Sequence, residues 1–271
     1  MGYNEGRLSH CSSSGTTSGY GYVGGLAGTS GGEQASLSDC TSSGIVTVEG
    51  IEGIVGGLVG GNWRPMIRCH SDAVVIGKRD VEAVGGAIGY NAGEVTCCSS
   101  DGFVISASPE AACGGFVGRH QAYGDIQSCC SHSNVMGITT LGGFAGDSSG
   151  PITNCYSRGS VRGENVVGGF IARNGDHVTT CYSSGAVHGV ECVGGFVADN
   201  GRVIWQCFWD LEASGILESD GGMARITEDM CNIENYLRVR WDFVDEAHNG
   251  TEDIWRMPAE TPGYPILAWE P

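Results

Sequence analysis

Two aspartates, Asp72 and Asp101, occupy the same place in successive stretches of the sequence, each three residues after a cysteine. Carboxylates held roughly 5–5.5 Å apart perform retaining glycoside hydrolysis, and carboxylate oxygens also bind calcium. The two can come this close only if the 29-residue step from one to the other is one complete coil, with neighbouring strands about 4.8 Å apart. Stacked acids also arise by chance, and no further acid accompanies this pair. We therefore expect no catalysis there and rate a weak calcium site slightly higher.

The other residue types that carry chemistry form no recognisable set. The sequence has no His-Glu-x-x-His, no P-loop, no calcium nonapeptide and no Cys-x-x-Cys. The seven histidines fall at different places in the repeats, so we predict separate surface histidines and no cluster: His10, His70, His120, His132, His177, His188 and His248. We predict no catalytic residue, no metal and no cofactor, and we do not expect an enzyme.

A cysteine marks the same point of a repeated unit of 26 to 31 residues. The marker cysteines are Cys11, Cys40, Cys69, Cys98, Cys129, Cys155, Cys181 and Cys207. In a stacked structure they would form a ladder of small buried side chains. Neighbouring rungs would lie within the Cα distance that a disulfide needs, so bridging stays open. We favour free, buried thiols.

The residues after each marker alternate with period two, which is strand geometry. Serine occurs at the second position of all seven repeats: Ser13, Ser42, Ser71, Ser100, Ser131, Ser157 and Ser183. A small residue follows at the fourth position and, in six repeats, valine at the sixth, so this face suits a narrow interior. The odd positions, among them Tyr156, Arg158, Arg162 and Tyr182, are predicted to lie on a solvated outer face.

Such a unit buries its face only by stacking on copies of itself. It is too short for a propeller blade and lacks the leucine-rich consensus. We predict an all-β protein, a parallel β-solenoid of 26–31-residue coils over residues 1–207, with a right-handed winding favoured. The residue after each Gly-Gly pair either faces outward or is turned inward, and we favour inward: Leu26, Leu58, Ala87, Phe116, Phe144, Phe170 and Phe196.

The repeat ends at Cys207, and residues 208–271 are predicted to form a small α+β cap. Thr227 reads as the N-cap of a helix whose apolar face is Met230, Ile233, Tyr236 and Leu237. A solenoid end needs a cap because an open edge offers unpaired backbone groups. Tryptophans would fill it, although they could instead form a sugar-stacking platform: Trp209, Trp241, Trp255 and Trp269.

Charge and composition limit the partners. The formal charge is −17 in 271 residues, which argues against nucleic acid and anionic membranes. No apolar run is long enough to span a bilayer, and no signal peptide is visible. Residues 2–11 align with the closing part of a later coil, so we expect a fragment of a longer protein. Self-association through the uncapped first coil, where Leu8, Cys11 and Val23 lie, is a further expectation.

Val-Gly-Gly-Leu-Val-Gly-x-Asn-x-Gly-x-Ile-x-x-Cys-Tyr resembles the GLUG repeat. Val55–Gly60, Val84–Cys98 and Val167–Tyr182 carry it, and the tail resembles the segment that follows such repeats in large bacterial surface proteins. The resemblance implies an extracellular or cell-surface protein with an adhesin-like or spacer role. GLUG repeats also occur in secreted metallopeptidases that cleave immunoglobulin, where the chemistry lies in another domain.

We therefore expect a non-catalytic structural or adhesive segment that acts as scaffold, spacer or adhesion module, with a surface glycan or a protein as partner. The alternative is a carbohydrate-binding module or a vestigial polysaccharide-acting β-helix. An outward row of aromatic side chains and a measurable glycan affinity distinguish a binding module from a spacer.

Overall fold

The repeats wind into a parallel β-solenoid of about seven coils in a computed structural model that describes residues 1–258 and 263–271. The predicted fold class is confirmed, while the handedness stays a prediction. Each coil gives one strand to a first sheet and one to a second, both of eight strands. The strands of the first sheet are Tyr3–Asn4, Ala27–Ser30, Val59–Asn62, Ile88–Asn91, Val117–His120, Ala145–Ser148, Ile171–Asn174 and Val197–Asn200.

The second sheet precedes the marker cysteines and has strands Arg7–Ser9, Ser36–Ser38, Met66–Ile67, Glu94–Thr96, Asp125–Gln127, Ile152–Thr153, Val178–Thr179 and Ile204–Trp205. Strands Tyr3–Asn4 and Arg7–Ser9 are the first of their sheets. Self-association through this end of the chain stays a prediction.

A third sheet follows the marker cysteines and folds back on itself within each coil, because the chain turns between the serine and the Gly-Gly pair. Its strands are Ser12–Ser13, Thr16–Gly24, Thr41–Gly56, His70–Gly77, Val81–Gly85, Ser99–Ser106, Ala112–Gly114, Cys130–Ser131, Asn134–Met136, Thr140–Gly142, Tyr156–Ser157, Val161–Arg162, Val166–Gly168, Tyr182–Ser183, Val187–His188, Cys192–Gly194, Phe208–Asp210 and Met223–Arg225. Extra residues in coils two to four lengthen these strands. The register shifts between Tyr20 and Tyr22 and between Val81 and Ala83, and it is regular on either side of each shift.

The residue before every marker cysteine adopts a left-handed backbone, with φ between 50° and 55° in His10, Asp39, Arg68, Cys97, Ser128, Asn154, Thr180 and Gln206. This turn swings the next N–H toward the thiol of the following coil. Cys155 N–H donates to Cys181 Sγ over 3.3 Å, and Cys155 Sγ donates to Thr153 O over 3.2 Å. A small side chain that both donates and accepts meets this geometry, which explains cysteine at the corner.

The interior consists of two apolar columns separated by serine and glycine. One column holds the marker cysteines, the Leu and Phe side chains after Gly-Gly, and Val or Ile of the first two sheets, while the other is almost entirely valine. Between them, Ser157 Oγ donates to Gly169 O over 2.7 Å and Ser183 Oγ to Gly195 O over 2.9 Å. Each of these serines therefore links the strand after the marker cysteine to the Gly-Gly segment of the same coil.

The second glycine of the Gly-Gly pair is required by close approach between coils. A Cβ at Gly143 would lie 2.2 Å from Gly169 O, and one at Gly169 would lie 2.1 Å from Gly195 O. Next to the pair, Phe116, Phe144, Phe170 and Phe196 are fully buried and stack with ring centroids 4.9 Å apart. The prediction that this column faces inward is confirmed, and its ring spacing equals the strand spacing.

The tail first closes the last coil. Ser219 Oγ accepts from Phe196 N–H and Val197 N–H, over 3.1 and 2.9 Å, and Met223–Arg225 pairs with Phe208–Asp210. Trp209 replaces the serine of earlier coils, and its ring lies against Gly195. The short helix Leu211–Ser214 is capped by Asp210, which accepts from Glu212 N–H and Ala213 N–H. These contacts cover the edge of the first sheet and the strand Phe208–Asp210 of the third.

The rest of the tail runs back along the outside of the third sheet. It buries a column of outward side chains, Cys130, Tyr156, Tyr182 and Phe208, beneath Met230, Tyr236, Trp241, Phe243, Trp255 and Leu267. The prediction that Tyr156 and Tyr182 lie on a solvated outer face is therefore wrong, because period two fixes which way a side chain points and not what covers it. Arg162 is exposed as predicted.

The helix predicted from Thr227 is divided into two short helices, Thr227–Met230 and Ile233–Leu237. Asn232 caps the second by accepting from Glu234 N–H, and Thr227 Oγ1 donates to Asp210 instead of capping the first. The four apolar residues still pack into one cluster. The remaining strands, Trp255–Arg256 and Ile266–Leu267, are antiparallel. None of the helices in residues 1–258 and 263–271 has the length and apolar character to cross a bilayer.

Candidate functional site

Asp72 and Asp101 are direct register partners in neighbouring strands of the third sheet. Asp101 Oδ1 accepts a hydrogen bond from His132 Nδ1 over 2.9 Å. This hydrogen bond holds the pKa of the Asp101 carboxyl below its ordinary value. A general acid needs a raised pKa, so Asp101 is poorly suited to that role. Nor do the described residues group three or more potential ligands in a way that suits a metal ion.

Two histidines meet on Asp101, although they lie in different coils and different columns; the sequence prediction excluded only a cluster within one coil or column. His70 Nε2 lies 3.7 Å from Asp101 Oδ2, on the opposite side of the carboxylate from His132. The network continues from His132 Nε2 to Tyr156 OH over 3.1 Å and from Tyr156 OH to Glu270 over 2.8 Å. His70 and His132 lie two coils apart and in adjacent columns. The stacking of the coils places both histidines beside the Asp101 carboxylate, which belongs to the coil between them. The network links the end of the tail to the coils.

The marker cysteines lie where the ladder prediction put them, and all thirteen cysteines of the chain are unpaired. Seven of the eight are buried, and Cys11 in the first coil is partly exposed. Burial raises the pKa of the Cys98 and Cys129 thiols, so both stay protonated and unreactive. Six of the predicted serines are buried, and Ser13 is half-buried. This ladder is structural.

Three of the four tryptophans assigned to the cap are buried. Trp209 lies at the end of the core, and Trp241 and Trp255 pack together with centroids 4.5 Å apart. Trp269 is partly exposed and donates Nε1–H to Ser128 O over 2.9 Å. Buried rings cannot stack on a sugar, so this set does not form the platform considered from the sequence.

An outward aromatic row does exist, at the other end of the solenoid. Trp63 lies between Tyr22 and Tyr90, with ring centroids 5.5 and 5.4 Å away. Trp63 and Tyr22 are 37% and 41% exposed. Gly61 makes this possible, since a Cβ there would lie 2.4 Å from the Trp63 ring. The three rings come from three successive coils and form one surface, the aromatic row.

Polar groups surround the aromatic row. A shallow cleft of about 600 Å³ beside it is lined by Tyr3, Thr29, Gly31, Trp63 and Arg64. Arg64 Nε–H donates to Gly31 O over 3.3 Å, which fixes the guanidinium at the rim. Partial burial raises the pKa of the Tyr22 hydroxyl, and the nearby Tyr90 and Glu82 raise it further by charge repulsion. The hydroxyl therefore stays protonated and remains a donor. A platform of exposed rings with hydrogen-bonding groups at its edge is suited to binding.

Sequence reasoning missed this row. The signal was Trp63, the one tryptophan outside the C-terminal region, placed two residues after a glycine pair. Tyr90 is the register partner of Gly61 from the preceding coil. Tyr22 belongs to the third sheet, so counting from the marker cysteines did not align it with Trp63 or Tyr90.

Comparison with known proteins agrees with these repeats. No curated protein and no solved structure matches the chain. The family model described as the GLUG motif matches residues 19–49, a segment that runs from the Gly-Gly pair of the first coil through Cys40. The chain therefore contains a GLUG motif, which is consistent with its assignment to the GLUG-repeat family.

Proposed function

We propose that this chain is a non-catalytic structural and adhesive segment of a bacterial secreted or cell-surface protein, serving as scaffold, spacer or adhesion module. The observation that carries the proposal is the continuity of the two interior columns through all the coils. Stacked coils spaced by about 4.8 Å make a stiff rod. A rod whose interior is filled by its own side chains is suited to holding surfaces at a fixed distance.

An extracellular or cell-surface location is part of the same proposal, and the GLUG motif supports it. Secreted proteins usually oxidise their cysteines, whereas here every thiol is free. Burial explains how free thiols are compatible with a secreted protein, because the ladder thiols are out of reach of an oxidant and already have hydrogen-bond partners. Cys192, which is exposed, is the thiol expected to react first outside the cell.

The test is to incubate the purified chain with a panel of polysaccharides and measure new reducing ends or unsaturated products. In parallel, beads coated with the chain are passed over mucin and extracellular-matrix surfaces under flow. The proposal expects no product and retention that is unchanged when Asp72→Asn and Asp101→Asn are combined. Product formation that disappears in this double variant would contradict the non-catalytic role.

A second candidate function is carbohydrate binding, and the aromatic row favours it. The C–H face of a pyranose packs on an exposed aromatic ring, and the ring hydroxyls need donors and acceptors at its edge. Trp63 with Tyr22 and Tyr90 provides the stacking surface, and Arg64 with the tyrosine hydroxyls provides the polar rim. Three coils hold the rings rigidly, so little side-chain freedom is lost on binding.

Affinity electrophoresis through gels that contain neutral polysaccharides tests this candidate. Trp63→Ala is expected to weaken retardation about tenfold, since stacking on one ring contributes roughly 1–3 kcal/mol. Phe103→Ala is the matched control, because Phe103 is 50% exposed and its register partners, Val74 and Asn134, include none of the three rings of the row. Equal effects of the two substitutions, or no retardation of the wild type, would remove the candidate.

A further inference from the structure

The strand Ile204–Trp205 is the last of the second sheet. At this end of the solenoid the tail covers the other two sheets: Asp220 contacts the strand Val197–Asn200, and Met223–Arg225 pairs with the third sheet. In the described part of the chain no strand pairs with the outer side of Ile204–Trp205. The tail thus covers the edge of the first sheet and the strand Phe208–Asp210 of the third, and it leaves the outer side of Ile204–Trp205 open.

Backbone donors of this strand have no acceptor among the described residues. In the preceding coil, Val178 N–H donates to Val203 O over 3.1 Å and Thr180 N–H donates to Trp205 O over 3.0 Å. The same two positions in the last coil are Ile204 and Gln206, and their N–H groups point where a further coil would lie. Alternating donors two residues apart are the pattern that an added strand satisfies.

A cleft of about 620 Å³ lies along this edge, within the range of ligand sites. Trp205 forms one side with a ring that is 60% exposed, and Met223 contributes an apolar surface. The opposite side is the turn that carries Arg238 and Arg240. Trp241 Nε1–H holds this turn against the strand by donating to Gln206 O over 3.0 Å.

Two arginines, and no acidic residue, line this cleft in a protein of net charge −17. In residues 1–258 and 263–271 neither Arg238 nor Arg240 forms an ion pair, whereas Arg68, Arg119 and Arg173 each pair with a carboxylate. Two arginines and two backbone N–H donors therefore border one cleft. Charge complementarity selects an acidic ligand.

We propose that this cleft binds an extended acidic peptide segment of a partner protein, which adds to Ile204–Trp205 as a further strand. The regular spacing of the N–H donors favours a peptide over an acidic glycan, since peptide carbonyls repeat at the same interval. A whole coil of a second copy does not fit, because residues 218–225 of the tail already lie against the first sheet and against the strand Phe208–Asp210. Acidic side chains would reach Arg238 and Arg240, and an apolar one would pack on Trp205.

The probe is a blocked synthetic peptide of about six residues that alternates Glu with Val, long enough to cover this edge at about 3.3 Å per residue. A matched peptide carries Lys in place of Glu. Calorimetry with the full chain is expected to detect the acidic peptide and to find the Lys peptide at least about tenfold weaker. Combining Arg238→Ser with Arg240→Ser should weaken the acidic peptide about tenfold, the loss expected from charge-assisted hydrogen bonds.

Arg162→Ser, an exposed arginine of the third sheet, is the control and should bind like the wild type. Ile204→Pro removes an outward N–H, which an edge strand tolerates, and should abolish binding. If that variant does not fold, hydrogen exchange of the wild type replaces it: the Ile204 and Gln206 amides should become protected when the acidic peptide is added.

Four results would overturn the proposal: no binding of the acidic peptide, equal binding of the Lys peptide, an equal loss in Arg162→Ser, or unprotected Ile204 and Gln206 amides in the presence of the peptide. Two further results would assign the cleft to a different occupant, and either of them would also reject the proposal. One is binding of polygalacturonate, without binding of the peptide, that depends on Arg238 and Arg240. The other is a dimer, seen by light scattering, that Ile204→Pro dissociates.

Discussion

Val161 in the sixth coil is a register partner of Val135 and Val187, which occupy the same position in the coils before and after it. Tyr236 in the tail packs on Phe208 and Trp241, residues that share no repeat position with it. In the coils, the partner of a side chain is a copy of itself about one repeat away. In the tail, Tyr182 OH donates to Pro265 O 83 residues later, and Trp269 contacts Ser128 141 residues earlier.

This difference teaches how each region gains its stability. Each coil forms an interface with each of its neighbours, so the stability of the solenoid is nearly a sum of similar interface terms. Unfolding of one coil therefore destabilises the coils next to it. The tail is held by a few unlike contacts, so it can detach while the coils remain folded. The predictions below separate the two regions, beginning with the largest effect.

Val161→Asp is expected to unfold several coils, because an uncompensated buried charge costs several kcal/mol and Val161 is fully buried. Arg162→Asp changes the next residue of the same strand, which is exposed, and should be nearly silent. Circular dichroism during urea unfolding measures both. Similar losses in the two variants would contradict the assignment of Val161 to the inner face and Arg162 to the outer face.

Arg158→Met should loosen the tail and leave the coils folded. The Arg158 guanidinium lies 4.6 Å from the centre of the Tyr156 ring and donates to Tyr182 OH, Tyr264 O and Pro265 O. Losing these charged hydrogen bonds is expected to cost about 2–3 kcal/mol of local stability.

Hydrogen exchange of the Trp241 and Trp255 region, compared with amides of the middle coils, measures this effect. Arg162→Met is the matched control, since the Arg162 side chain is exposed and forms no hydrogen bond or ion pair with the described residues of the tail. Equal destabilisation of tail and middle coils in Arg158→Met would show that the two regions unfold as one unit.

The smallest expected effect concerns pH. The hydrogen bond from His132 lowers the pKa of Asp101 in the folded protein. A carboxyl with a depressed folded pKa stabilises the fold above its unfolded pKa, and this contribution disappears as pH falls through the folded pKa. The stability difference between the wild type and Asp101→Asn should therefore be constant near neutral pH and shrink in acid. A difference independent of pH would show that the His132 contact does not act through the charge of Asp101.

Sequence pattern was sufficient wherever contacts repeat. The marker cysteines, the serines two residues later and the inward Phe column could be predicted because each position is constrained in the same way in every coil. The left-handed residue before each cysteine was missed, since its side chain varies from His10 to Gln206 while only its backbone is shared.

Sequence pattern failed where contacts are unique. Nothing local indicated that the tail would fold back over Tyr156 and Tyr182, or that Asn232 would begin a second helix after a break at Cys231. The pairing of His70 and His132 on Asp101, and the packing of Trp63 over Gly61, depend on which side chains two coils place side by side. Such partners become visible only when the register between coils is known.

One outward column provides the most direct test of one repeat per coil. Ser18, Met136, Arg162 and His188 belong to a single chain of register partners that runs through Thr47, Ile76 and Ile105. Spin labels introduced as a non-canonical amino acid avoid the native thiols. Electron–electron distances from Ser18 to Met136, Arg162 and His188 should rise from about 19 Å to about 24 and 29 Å, one strand spacing per coil. Distances that do not increase in equal steps of about 4.8 Å would contradict the solenoid.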